Sequence, residues 1–211
     1  MAYSDFTLAK VRESFGLTVE EPNNLFADIA GINSSQYLQT TLNENISLAT
    51  AINTEKARSE LIIAPILLEI RRQFNFEIGF FSGLEFNVDS EQGLNGYCDY
   101  ILTASSEIYE IRTPVLTLVE AKNENIKAGL GQCIAEMIAA QIFNQRQGNN
   151  VENIYGAITT GTDWKFLQLK DKIIKIDKRD YYIIEINQIL GILSTPFKFD
   201  YRQSLTLPHN Q

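Results

Sequence analysis

Histidine and cysteine are scarce in this chain, and their scarcity removes several kinds of active site. His209 is the only histidine among 211 residues, and it lies in a polar C-terminal tail. A Ser–His or Cys–His nucleophilic triad needs a histidine in the folded core, and a multi-histidine metal site needs several. Cys98 and Cys133 each stand alone in an apolar segment, which favours small buried thiols over a disulfide or a zinc site.

Long apolar runs and an excess of basic charge are also missing. No run in the sequence approaches the roughly 18 apolar residues that span a bilayer. Residues 1–6 lack the basic and then apolar segments of a signal peptide. We therefore expect a cytoplasmic protein without a membrane partner. The net charge of −8 argues against a broad surface that binds polyanions without specificity.

Charge is unevenly distributed along the chain. From Glu85 to Glu124 there are eight acids against two bases, whereas from Trp164 to Arg202 there are eight bases against five acids. An acidic centre and a basic C-terminal third suit a cation site beside a phosphate-contacting surface over residues 165–179. A solvated charged hairpin explains the basic stretch equally well.

Three charged residues lie in segments that resemble buried strands. Asp99 lies within the run 96–102, and Glu120 and Lys122 end the run 115–122. Both runs are rich in β-branched and large apolar residues, and a charged residue is rarely buried unless it is paired or binds a metal. Glu120 and Lys122 are two apart on a strand and share a face, which Asp99 on the neighbouring strand can reach. The structural alternative, an ion pair between Asp99 and Lys122, would leave Glu120 without a partner.

Two carboxylates and a lysine suit the hydrolysis of a phosphodiester. Mg²⁺ prefers oxygen ligands and keeps several waters, so two carboxylates can hold it beside a scissile phosphate. A nearby lysine can orient or help deprotonate the attacking water and stabilise the developing charge. Because all the proposed ligands are oxygens, we expect Mg²⁺ or Mn²⁺ and not a soft metal.

The length fits a single domain, in which a helical extension (residues 1–54) packs on a core (residues 55–211). Apolar periodicity and turn residues predict the elements that follow. Helices are expected over 4–15, 42–52, 55–73, 126–147 and 182–193, and strands over 80–88, 97–103, 115–121, 154–160, 164–169 and 173–176. Thr54 caps the third helix, and Pro65 should kink or split it. The order predicts an α/β fold in which three antiparallel strands precede a crossover helix and further strands.

The chain resembles a known family at these residues. Asp99, followed by Glu120-Ala-Lys122 at a strand end and then by a helix, is similar to the PD-(D/E)XK superfamily, the restriction-endonuclease-like nucleases. The resemblance covers about residues 55–170, and the segments 96–99, 119–123, 129–132 and 155–164 look like those of bacterial, notably cyanobacterial, members. Two features depart from the family pattern, since Cys98 stands where a proline often precedes the acid and the hairpin between Asp99 and Glu120 is long.

The resemblance implies a restriction-endonuclease-like core of a helix, three antiparallel strands, a helix and further strands. It also implies a metal-dependent nuclease, with DNA as the expected substrate and RNA as the alternative. Asp99 and Glu120 would bind the metal with help from Glu60 on the preceding helix. Lys122 would position or activate water, and Gln132 on the following helix would orient Lys122 or a phosphate.

Structural explanations stand beside several of these assignments. Glu60 can equally be a solvated helix residue or pair with Lys56 or Arg58, and Gln132 can cap polar groups in the core. Glu136, one turn beyond Gln132, is expected to be a surface charge. 

Two glycines in the same helix, Gly129 and Gly131, cost helix stability. They therefore indicate close approach of backbone or ligand, or packing against the sheet.

Two further functions remain open at this stage. The second class is a nucleic-acid-processing subunit or binding module that keeps the site but needs a partner chain for substrate binding. It would then act as a homodimer or beside a partner subunit. The third class is a non-catalytic interaction protein on the nuclease fold, which the intact set of Asp99, Glu120 and Lys122 counts against.

Overall fold

One mixed sheet of eight strands forms the centre of the protein. The computed structural model describes the backbone of residues 1–204 and the side chains of residues 1–198, so the side chains of Arg202 and His209 lie outside it. The strands are β1 (Thr18–Glu20), β2 (Gly79–Glu85), β3 (Tyr97–Thr103), β4 (Val115–Ala121), β5 (Ile154–Thr159), β6 (Asp163–Lys170), β7 (Ile173–Ile176) and β8 (Tyr181–Tyr182). Their order is β1-β7-β6-β5-β4-β3-β2, with β8 paired to β6. The mixed α/β class is as predicted.

Six helices surround this sheet in the described part of the chain. They are α1 (Leu8–Phe15), α2 (Gln36–Ile52), α3 (Glu55–Arg58), α4 (Ala64–Gln73), α5 (Ile126–Arg146) and α6 (Ile186–Ser204). Strands β2, β3 and β4 pair antiparallel, and α5 then crosses over to β5, which lies parallel to β4. The predicted order of helix, three antiparallel strands, helix and further strands is therefore observed. Within residues 1–204, every helix is too short or too polar to cross a membrane.

The helix predicted over 55–73 has its expected cap and an expected irregularity. The Thr54 side chain accepts a hydrogen bond from the Ala57 amide, as an N-cap residue does. The break expected at Pro65 takes the form of a five-residue π turn, Ser59–Ile63, between α3 and α4. Proline has no N–H to donate to the carbonyl of Leu61, and the Asn45 amide donates to that carbonyl instead, at 3.3 Å.

Two apolar clusters fill the two faces of the sheet. Helices α2, α4 and α6 contribute to one of them, and α5 packs with the N-terminal segment in the other. Gly131 allows this second contact, because a Cβ there would lie 2.2 Å from the carbonyl oxygen of Phe6. The close approach that this glycine indicated is therefore an approach of the N-terminal backbone to α5.

Helix α5 is enclosed between this N-terminal segment and the sheet. Cys133 on α5 and Cys98 on β3 are both buried and free, as predicted. The buried residues of α5 run without interruption from Cys133 to Ala140. A polar side chain in that part of the helix consequently lies in the protein interior.

Some elements differ from the sequence-based expectation. Strand β1 was not predicted, and it joins the sheet through parallel pairing with β7. Helix α2 begins at Gln36 and not at residue 42, where the Ser35 side chain caps it by accepting from the Leu38 amide. The buried carboxylate of Glu69 holds that cap, since it accepts from both the amide and the hydroxyl of Ser35.

Candidate metal centre

Asp99 lies where strands β3 and β4 separate. The last paired residues of the two strands are Tyr100 and Val119, and the same register continued would set Asp99 opposite Glu120. The strands diverge there, and the Asp99 carboxylate accepts a hydrogen bond from the Ala121 amide at 2.8 Å. The side chain of Asp99 thus takes the place of a backbone acceptor and remains beside the end of β4.

Glu120 is a buried carboxylate with one oxygen left over. The residue is 1% exposed; its Oε1 accepts from the Lys122 ammonium, and its Oε2 has no hydrogen-bond partner. Burial, and next the charge of Asp99, raise the pKa of Glu120 to about 8, against the opposing effect of Lys122. Ionised Glu120 therefore needs more positive charge than Lys122 supplies.

Lys122 is held in place by its backbone and by Glu120. Its amide donates to the Thr159 carbonyl of β5 at 2.8 Å. Burial acts to lower the pKa of the lysine, but the charge and hydrogen bond of Glu120, with a contribution from Glu55, outweigh burial and raise it. The side chain is therefore an ammonium group, which can donate hydrogen bonds but cannot take up a proton from water.

The ion pair of this site is not the one considered as the structural alternative. That alternative joined Asp99 to Lys122, whereas the structure pairs Lys122 with Glu120 and gives Asp99 a backbone partner. The site thus contains two carboxyl groups and one ammonium group, and it carries net negative charge once Glu120 is ionised. Such an arrangement is suited to a bound cation.

The helix before the sheet offers a different carboxylate from the one expected. Glu60 lies on the π turn, its side chain is 60% exposed, and it pairs with Lys56 at 2.8 Å, so the structure does not bring it to Glu120. Glu55, in the first turn of α3, is the helix acid whose charge acts on both Glu120 and Lys122. The sequence contained one signal for Glu55, its place directly after the capping residue Thr54.

Helix α5 brings Gln132 and Glu136 toward the same region. The Gln132 amide nitrogen donates to Glu136 Oε1 at 3.1 Å. The expectation that Glu136 is a surface charge is wrong, because the residue is fully buried in the enclosed part of α5. Burial, and next the charge of Glu120, raise the pKa of Glu136 well above its ordinary value. Gly129 lies one turn earlier, and a Cβ there would be 3.4 Å from Glu120 Cγ and 3.2 Å from Lys122 Cε.

The donor set matches a cation that keeps much of its water. Among the described residues, no three carboxylate, thiol or imidazole groups converge as an all-protein metal cage would require. Mg²⁺ usually binds through one or two carboxylates, waters and substrate phosphates. Asp99 and Glu120, with the unpartnered Oε2 of Glu120, fit that mode of binding.

Several basic side chains over residues 165–179 form hydrogen bonds and ion pairs within the chain. Lys165 donates to three backbone carbonyls, those of residues 177, 178 and 179, and pairs with Asp180 at 2.6 Å. Lys170 pairs with Glu152 at 2.5 Å, and Arg179 pairs with Glu185. Lys172 and Lys178 stay exposed. These contacts favour the charged-hairpin explanation for most of the stretch.

The raised pKa of Glu120 predicts how stability depends on pH. Between about pH 4.5 and pH 8 the folded protein holds a proton on Glu120 that the unfolded chain has released. We therefore expect the free energy of unfolding, without added metal, to fall as the pH rises through this range and to level off above it. The contribution of Glu120 to this change is at most roughly 5 kcal/mol.

Chemical denaturation at a series of pH values measures this effect. Glu120→Gln should reduce the slope to the part that Glu136, whose pKa is also raised, contributes. The exposed Glu60→Gln serves as the matched control and should leave the slope unchanged. Equal slopes for the wild-type protein and Glu120→Gln would show that Glu120 is ionised throughout.

Asp99, Glu120 and Lys122 lie together between the diverging strands and α5. Their charges act on Glu136, which accepts the hydrogen bond of Gln132, and Glu60 lies outside this cluster. Its geometry and electrostatics are the basis for assigning a function. Comparison of the chain with protein-family models, curated proteins and solved structures gave no match in any of the three.

Proposed function

We propose that this chain is a metal-dependent nuclease with a restriction-endonuclease-like core, and that it hydrolyses phosphodiester bonds in DNA. The observation that supports the proposal most is the buried, partly unpartnered carboxylate of Glu120 beside the carboxylate of Asp99. Two carboxylates and an ammonium group at the end of adjacent strands are poorly explained by stability alone, since an apolar set would cost less.

Asp99 and Glu120 would hold Mg²⁺ or Mn²⁺, with Glu55 adding negative charge nearby. The bound ion would lower the pKa of its water and neutralise charge on the phosphate. Lys122 would donate hydrogen bonds to the attacking water or to a non-bridging oxygen as charge develops there. Its raised pKa supports this donor role over the alternative of a general base.

Substrate binding is the step that this chain supports least by itself. The net charge is −8, and the lysines over 165–170 are engaged in internal contacts. A second copy or a partner subunit would therefore supply much of the phosphate-contacting surface, which keeps the partner-dependent nucleic-acid-processing subunit as the second candidate. The two free thiols agree with the cytoplasmic, reducing location expected for either candidate.

Cleavage assays with a defined metal test the proposal. Metal-free protein should cut none of single-stranded DNA, duplex DNA or RNA, and Mg²⁺ or Mn²⁺ should start cleavage that EDTA stops. Glu120→Gln is the matched control for a contaminating nuclease, because it only replaces one carboxyl oxygen of the buried site by an amide nitrogen. Cleavage that continues in excess chelator, or that is equal in Glu120→Gln, would overturn the mechanism. Metal binding without cleavage of any substrate would favour the partner-dependent subunit.

A further inference from the structure

One face of α5 carries polar side chains toward the site, where the charges of Glu120, Asp99 and Lys122 act on Glu136. Gly129, Gln132 and Glu136 follow at spacings of three and four residues, so they share a face of the helix. Gly129 is in van der Waals reach of Glu120 and Lys122, which places this face against the end of β4. Gln132 and Glu136 are joined by the hydrogen bond from Gln132 Nε2 to Glu136 Oε1, at 3.1 Å.

Burial of the Glu136 carboxyl group costs desolvation free energy. It is fully buried, its second oxygen has no hydrogen-bond partner, and none of the ion pairs among the described side chains includes it. An apolar side chain of similar volume would fill the same space at a lower cost in desolvation. Its one hydrogen bond is with Gln132, so a directional benefit that offsets the cost acts through that amide.

The contact removes an ambiguity that a glutamine side chain otherwise has. An amide has a donor end, the NH₂ group, and an acceptor end, the carbonyl oxygen. Glu136 Oε1 accepts in this hydrogen bond, as the carbonyl oxygen of a protonated carboxyl also can, so the NH₂ group is directed to Glu136. Gln132 Oε1 is then the polar atom that remains for the site, and it can only accept.

We propose that Glu136 is a positioning residue that orients the amide of Gln132 so that an acceptor oxygen, and not an NH₂ group, serves the metal centre. This inference rests on the proposed function. An acceptor suits Lys122 or the attacking water, both of which donate hydrogen bonds. It does not suit a phosphate oxygen, which needs a donor, so of the two roles considered for Gln132 the geometry favours orientation of Lys122 or water.

The kinetic test is a double-mutant cycle over the pair. Glu136→Met removes the acceptor at similar volume and should lower kcat about 10- to 100-fold, as loss of an orienting partner does, with little change in KM. Gln132→Ala should cost the same, and Glu136→Met in the Gln132→Ala background should cost nothing more. Gln141→Ala, an amide further along α5, is the control and should leave kcat unchanged. If the fold-decreases in kcat of the two single variants multiply in the double variant, the inference is overturned.

Two measurements on the metal-free protein separate this role from a structural one. Glu136→Met should melt at the same temperature as the wild-type protein or higher, whereas a structural role predicts a lower melting temperature. Hydrogen exchange of the Gln132 side-chain NH₂, followed by NMR, should be slow in the wild-type protein and fast in Glu136→Met. Unchanged exchange would overturn the inference whether or not the wild-type protein cleaves. If that exchange behaves as expected and the wild-type protein cleaves nothing, the orientation of Gln132 stands and the catalytic part of the inference falls with the proposed function.

Discussion

Lys122→Ala is expected to lower the rate of DNA cleavage by about 100- to 1,000-fold or more, because it removes the one ammonium donor of the site. Folding should survive the change. The pKa of Glu120 is already raised to about 8, and Lys122 acts to lower it. Without Lys122, Glu120 therefore takes up a proton more readily and does not remain as a buried charge. The loss of stability should therefore be smaller than the roughly 3–5 kcal/mol that follows when a buried ion pair is broken and one charge stays.

Thermal melts with and without Mg²⁺, beside a cleavage assay, check both parts of this expectation. Lys127→Ala removes an exposed lysine from the first turn of α5 and is the matched control for the change in net charge. At pH 9, above the pKa of Glu120 in the wild-type protein, Mg²⁺ should stabilise both proteins, since both keep the carboxylates of Asp99 and Glu120. A purely structural ion pair predicts a large loss of melting temperature in Lys122→Ala and no response of the wild-type protein to Mg²⁺.

Asp99→Asn should change activity and metal-free stability in opposite directions. The asparagine oxygen can still accept from the Ala121 amide, so the junction of β3 and β4 is kept. Loss of the Asp99 charge removes a cause of the raised pKa of Glu120, and the metal-free protein should become more stable at pH 8. Cleavage should fall by a factor of about 1,000, since one of the two metal ligands becomes a neutral amide.

Denaturation at pH 8 and a cleavage assay on the same preparation measure the two effects. Asp99→Ala is the informative comparison, because it removes the charge and also the hydrogen bond to Ala121, which is worth about 1 kcal/mol. It should therefore be less stable than Asp99→Asn and equally inactive. A variant Asp99→Asn that is destabilised and still cleaves would show that Asp99 serves only the strand junction.

The site strands were predictable because their sequence pattern and their burial agree. The bounds of β3 and β4 are those expected from the runs of β-branched and apolar residues. The same pattern predicts that Glu120 and Lys122, two residues apart, share one face of the strand, and both residues do face α5. Strand β1 escaped prediction because it is three residues long and its place depends on parallel pairing with β7, which is distant in the sequence.

The acids on helices were harder to place. The resemblance predicts Glu60 as a further carboxylate of the site, but the π turn changes the phase of that helix and Glu60 pairs with Lys56. The spacing of one helical turn from Gln132 predicts a surface position for Glu136, which is wrong because the residue is buried. The signal was available, because the neighbours from Cys133 to Ala140 are apolar apart from this residue, and a helix that is apolar all round is buried. What no local pattern contained was the N-terminal segment that covers α5 at Gly131.

The central claim is that Asp99 and Glu120 together hold a divalent cation. Crystals soaked in Mn²⁺ at pH 9, above the pKa of Glu120, test it through anomalous diffraction at the manganese edge. We predict one strong anomalous peak bound by carboxylate oxygens of both residues, and no such peak in crystals of Asp99→Asn. A wild-type crystal without that peak, in which Lys122 remains the only charged partner of Glu120, would contradict the account.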